Sequence, residues 1–113
     1  MKTKTNTTGL FPRAEKRMSD STAKDTVLVV IDMQPGFPAS NDAITQWYVE
    51  QEIIRAKGLG MGIIIVEFDP HETGHTHEKL MQHLVDYRRA AVVCKSENHG
   101  DDEIVEACVD NDF

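Results

Sequence analysis

Long apolar runs are missing from this 113-residue chain, and so is a cysteine framework. A bilayer-spanning helix needs about 20 apolar residues. The longest run here, Gly62 to Val66, is only a strand's length. The first twenty residues are polar and lack the apolar stretch of a secretory signal. Two cysteines cannot staple a small fold, so both are read as reduced thiols and the expected compartment is the cytoplasm. Positive charge is also scarce: 12 basic residues stand against 19 acidic ones, a net charge of -7. The imbalance is uneven. Residues 1–25 carry six basic and three acidic side chains, a net of +3, while residues 26–113 carry six against sixteen, a net of -10. Such an acidic body repels phosphate backbones, so neither nucleic acid nor a membrane is an expected partner.

What is present fits one soluble domain. Hydrophobic residues make up 40% and charged residues 27%, close to the globular average, and this length leaves little room for a second domain. Residues 1–25, rich in Lys, Thr and Ser and without sustained periodicity, read as a flexible basic arm. Residues 26–113 then alternate between two kinds of pattern. Val27 to Ile31 is a continuous β-branched run, the mark of a strand buried on both faces. Pro35, Gly36 and Pro38 break the chain, and Ser40, Asn41 and Asp42 can cap a helix. Ile44, Trp47, Tyr48, Gln51 and Ile54 recur at helical spacing and are read as its inward face, with Trp47 and Tyr48 in the core. Gly58, Gly60 and Gly62 end that helix. A second strand runs from Gly62 to Phe68, and a His-rich loop, His71 to His77, follows. The next helix turns Leu80, Met81, Leu84 and Val85 inward, and a third strand covers Ala90 to Cys94. The last helix opens on Asp101, Asp102 and Glu103 and buries Ile104, Val105, Cys108 and Val109.

This β-α-β-α-β-α order predicts a three-layer α/β/α, Rossmann-like fold with a parallel sheet of spatial order 3-2-1. Chemistry in such folds gathers at the carboxyl ends of the strands. Asp32 and Lys95 are each the first polar residue after a buried run, so a carboxylate and an ammonium are expected on one rim. The chain also stops at Phe113, just after a helix, where a fourth strand is expected beside the first.

The segment VLVVIDMQPGF, Val27 to Phe37, resembles the opening strand and loop of the isochorismatase-like cysteine hydrolases. The spacing from it to VVCKSENHGDDEI, Val92 to Ile104, is similar to that family as well. The likeness covers the chain from about Val27 to Phe113, and implies that residues 26–113 are the N-terminal part of such a domain. It further implies a triad of aspartate, lysine and cysteine that hydrolyses a small amide, ureide or enol ether. Asp32 then takes the thiol proton and Lys95 steadies the anionic partners. The family's nucleophile follows a fourth strand, beyond Phe113. Neither Cys94, preceding Lys95 in its strand, nor Cys108, on a helix stripe, replaces it, and burial is the expected role of both. The chain alone is therefore expected to be inactive, binding substrate when completed by the missing half.

Asp69, His71 and His75 form a second set, with ligand types suited to zinc or another divalent ion. The nicotinamidase branch of the same family holds a metal after its second strand. Many relatives have none and carry a Gly-Thr stretch here, which Gly74-His75-Thr76 resembles, so no cofactor is the first expectation. Two other readings stay open: an interaction module pairing through its exposed first strand, including with a second copy, and a small His-loop metal-binding protein.

Overall fold

The computed structural model describes residues 23–96 and 101–113. The arm expected over residues 1–25 lies outside them except for its last three residues, of which Ala23 is buried in the core. One parallel sheet is formed by β1 (Val27–Ile31), β2 (Gly62–Phe68) and β3 (Ala90–Lys95). β2 lies in the middle, the expected 3-2-1 order. Val27 stands opposite Gly62 and Ile31 opposite Val66, while Ile63 faces Ala90 and Phe68 faces Lys95. Among the described residues, four helices follow the strands: α1 (Ala43–Leu59), α2 (Pro70–Thr73), α3 (Glu78–Met81) and α4 (Asp101–Asp110).

The sheet is covered on both faces because strand side chains alternate. Ile63, Ile65 and Val30 share one face with Ile53 and Ala56 of α1, Leu80 of α3 and Leu84 of the 3-10 turn after it. Ile64 and Val66 share the other with Ala107 of α4, against which Ile104, Cys108 and Phe113 pack. The central β2 aliphatics Ile63 to Val66 are wholly buried. Each contributes roughly 1.5–3 kcal/mol by leaving water.

The ends of α1 follow its sequence. Asp42 is the N-cap and accepts hydrogen bonds from the Thr45 N–H at 2.9 Å and the Thr45 hydroxyl at 3.0 Å. Gly60 stops the helix at φ 75°, a left-handed conformation that glycine adopts without steric cost.

Its buried face, however, is the opposite of the one expected. Val49, Ile53 and Ala56 pack on the sheet, whereas Ile44, Trp47, Tyr48 and Ile54 are 67%, 52%, 60% and 44% exposed. The helix carries apolar residues on two sides, and the side without aromatic rings fits close to the strands. Val85 is also exposed, because the tighter 3-10 turn over Gln82–Leu84 changes the spacing after Leu84. In α4, Val105 and Val109 face solvent, and the deepest residue is Ala107, one position from Cys108. Cys94 is exposed rather than buried, since among the described residues no helix covers that face of the edge strand β3 at this point.

Candidate functional site

Asp32 and Lys95 meet at the carboxyl rim of the sheet. Asp32 follows β1, Lys95 ends β3, and the long lysine chain spans the end of the intervening β2. Lys95 Nζ lies 3.5 Å from Asp32 Oδ1, with the lysine side chain 4% exposed and that of Asp32 36% exposed. Asp32 Oδ1 itself is buried and has no hydrogen-bond donor among the described residues. The Asp32 backbone still extends the ladder, its N–H donating to the Val66 carbonyl at 3.1 Å. Yet it turns at once into the left-handed region, φ 60°. Asp69, at the end of β2, does the same at φ 42°, and its N–H donates to the Lys95 carbonyl at 3.1 Å. A non-glycine residue held there costs on the order of 1–2 kcal/mol. Two adjacent strands thus end on strained aspartates.

The loop after β1 is held by Gln34, a residue whose role was not read from the sequence. Its side chain is fully buried. Gln34 Oε1 accepts from the Phe68 N–H at 2.8 Å. Its Nε2 donates toward the Phe68 carbonyl at 3.0 Å, the Thr73 hydroxyl at 2.7 Å and the Gly74 carbonyl at 2.7 Å. One amide therefore ties the Asp32 loop to the end of β2 and to α2. The Gly36 N–H donates to the Thr73 carbonyl at 2.8 Å, and a Cβ on Gly36 would lie 2.7 Å from Thr73 Cα. Only glycine permits that approach. Ser40, also buried, donates to the Gln34 carbonyl and lies 3.0 Å from His77 Nε2. The Gln and Gly of the DMQPGF segment hold the rim in shape.

The histidines are placed differently from the metal expectation. His75 Nδ1 lies 3.0 Å from Glu67 Oε1, and the Thr76 N–H donates to Glu67 Oε2 at 2.8 Å. Burial raises the Glu67 pKa, but the Thr76 N–H and the His75 imidazole outweigh it and hold the carboxyl below its ordinary value. His71 is exposed on α2. Asp69, His71 and His75 are not gathered, and no three His, Cys, Asp or Glu side chains among the described residues are placed to hold a metal ion. Glu67, buried in a strand of isoleucine and valine, was the available signal for its own pairing: an interior carboxylate requires donors.

Neither thiol joins the pair. Strand alternation places Cys94 on the face opposite Lys95, and Cys108 packs on the Ile64–Val66–Ala107 cluster. Among the described residues no helix is long and apolar enough to cross a membrane.

No protein-family model matches the chain. No curated protein matches it either. Among solved structures, that of MAR1 ribonuclease from Caenorhabditis elegans is similar, with a TM-score of 0.50 and 22% sequence identity. The likeness covers 63% of this chain and 37% of that one. At that identity it bears on architecture alone, and it agrees with the parallel α/β arrangement described above.

Proposed function

We propose that this chain carries the aspartate–lysine part of a cysteine-hydrolase site of the isochorismatase type. Its substrates are small amides, ureides or enol ethers. The carrying observation is the Asp32–Lys95 pair, 3.5 Å apart at the carboxyl rim with the ammonium buried. A buried ion pair adds little net stability, because desolvation offsets the attraction, so retaining one beside a strained aspartate favours a chemical role. In this reading Asp32 accepts a thiol proton, and Lys95 stabilises the carboxylate and the anion that develops on the substrate. With an amide or ureide the thiolate attacks the carbonyl carbon. The C–N bond breaks as the amine leaves with the proton held by Asp32, and water then cleaves the thioester, returning the acid product and the thiol.

The thiol comes from outside residues 1–113, since Cys94 and Cys108 are both directed elsewhere. Without it a carboxylate and an ammonium form no covalent intermediate, and the chain alone is silent. The test is to assay ureidase, amidase and isochorismatase activities of residues 1–113 alone and mixed with the C-terminal half of a relative. Activity should appear only in the mixture and fall at least 100-fold with Asp32→Asn or Lys95→Met. Activity in the lone chain, or a mixture indifferent to both substitutions, sinks the reading.

The ribonuclease activity for which the structural neighbour is named is less favoured here. A body with a net charge of -10 opposes a polyanionic RNA, whereas a small neutral substrate pays no such cost. The weaker metal reading at Asp69, His71 and His75 is tested by metal content after tag-free purification. A stoichiometric divalent ion lost on His71→Ala would revive it.

A further inference from the structure

The outward face of α1 repeats with a regularity its own domain does not use. Ile44, Trp47, Gln51, Ile54 and Gly58 are spaced alternately three and four residues apart, the pattern of a helix-packing seam. Tyr48 and Arg55 flank the seam on one side, and the Trp47 and Tyr48 rings meet edge to face with centroids 5.1 Å apart. The other flank, Glu50 and Lys57, is turned to the helix's own domain, where Glu50 pairs with His83 and Lys79, and Lys57 with Asp86. Gly58 is the odd member. It lies inside the helix, where glycine is less favourable than alanine, and a Cβ there would meet nothing within 4 Å. Among the described residues nothing supplies a reason for a glycine at that place.

We propose that this face pairs with the same face of a second copy, the two α1 helices antiparallel about a twofold axis at Gln51. Gln51 is the middle residue of Ala43–Leu59, so the axis gives full overlap along about 25 Å of helix. Ile44 then lies over Gly58 of the second copy, a large side chain meeting the position without one. Tyr48 meets Ile54, Trp47 meets Arg55, whose guanidinium suits an aromatic face, and the two Gln51 amides meet at the axis. The seam is self-complementary, as a twofold interface requires.

The area is adequate. The four exposed apolar side chains offer roughly 400 Å² per copy, and with Gln51 and Arg55 two copies reach about 1,000 Å², the lower bound of a specific interface. A dissociation constant of some tens of micromolar is expected from so small a seam. Each copy carries -7, so association strengthens as salt screens the repulsion.

Trp47 is the chain's single tryptophan, and its emission reports this face directly. Sedimentation velocity of the full chain from 1 to 200 µM should show twice the 12.7 kDa monomer mass at the upper end. Trp47 emission should shift to the blue over the same range. Ile54→Glu should weaken association at least 30-fold with the helical circular dichroism unchanged. Gly58→Leu should do the same while raising the melting temperature of the dilute monomer, an opposition of signs that a merely structural glycine would not produce. A monomer at 200 µM overturns the proposal. So does a dimer indifferent to both substitutions, which would use another surface such as the β1 edge. Blue emission independent of concentration overturns it too, because another part of the same chain would then cover the face.

Discussion

β1 and β2 are written in nearly the same alphabet and end in different environments. Val27 to Ile31 and Gly62 to Val66 are both unbroken aliphatic runs after their first residue or from it. In β2 the four aliphatics Ile63 to Val66 are wholly buried, between two neighbouring strands and two helical layers. In β1 only Val30 is buried, and Ile31 is 46% exposed. β1 has one strand neighbour among the described residues, and α4 packs over β2 and β3. An aliphatic run specifies a strand, but its burial is decided by what lies beside it.

The largest expected effect tests this contrast directly. Ile64→Ala should cost about 3–4 kcal/mol in urea unfolding, the price of an unfilled cavity in a closed core. Ile31→Ala should cost less than about 1 kcal/mol, since nearly half of that side chain is already in water. Equal losses would mean that β1 is covered in solution, and the contrast would fail.

Gln34→Leu is expected next, at about 2–3 kcal/mol. It strands the Phe68 N–H, whereas the Phe68 carbonyl keeps the Thr73 hydroxyl, and it frees the loop from α2. The rim should loosen with it. Amide hydrogen exchange at residues 32–41 should accelerate more than exchange in β2, and unchanged protection there would refute the bracing role of Gln34.

Much of the architecture was legible before the structure, and the reasons are local. The strand runs, the Asp42 cap and the glycine stop at Gly60 are all short-range signals. The Asp32–Lys95 meeting was legible because topology sends both to one rim. Gln34 was not, since its partners lie 34 to 40 residues away and nothing local distinguishes a bracing glutamine from a surface one. The α1 face was misread for another reason. Both sides of α1 carry apolar residues, and the helical spacing of Ile44, Trp47, Tyr48 and Ile54 does not tell which side meets the sheet. The side without aromatic rings, Val49, Ile53 and Ala56, is the one that packs closely on the strands.

The acid limb of stability separates Glu67 from the exposed carboxylates around it. A carboxyl held below its ordinary value in the folded chain contributes stability that is fully present above the unfolded value, near 4.5. That contribution is lost as pH falls through the lower, folded value. Glu67→Gln should therefore be less stable than the parent at pH 7, and the gap should close below pH 4.5. A gap constant from pH 7 to pH 3 would show that the Thr76 and His75 partners do not favour the charged form.

The smallest effects contrast two glycines that stand two residues apart. Gly60 holds φ 75°, and an added Cβ there meets no neighbour, so Gly60→Ala pays only for the left-handed backbone. A loss of about 1 kcal/mol is expected. Gly58 lies within α1, where no atom approaches its absent Cβ. Gly58→Ala should therefore gain up to about 1 kcal/mol in the dilute monomer, through helix propensity and a less flexible unfolded chain. The two substitutions remove the same hydrogen and add the same methyl group, so their difference isolates backbone conformation from packing. Thermal melts at 1 µM, where the proposed α1 pairing is largely dissociated, are the measurement. Losses of the same sign at both positions would mean that Gly58 already has a close neighbour in the monomer, and α1 would then have no free outer face.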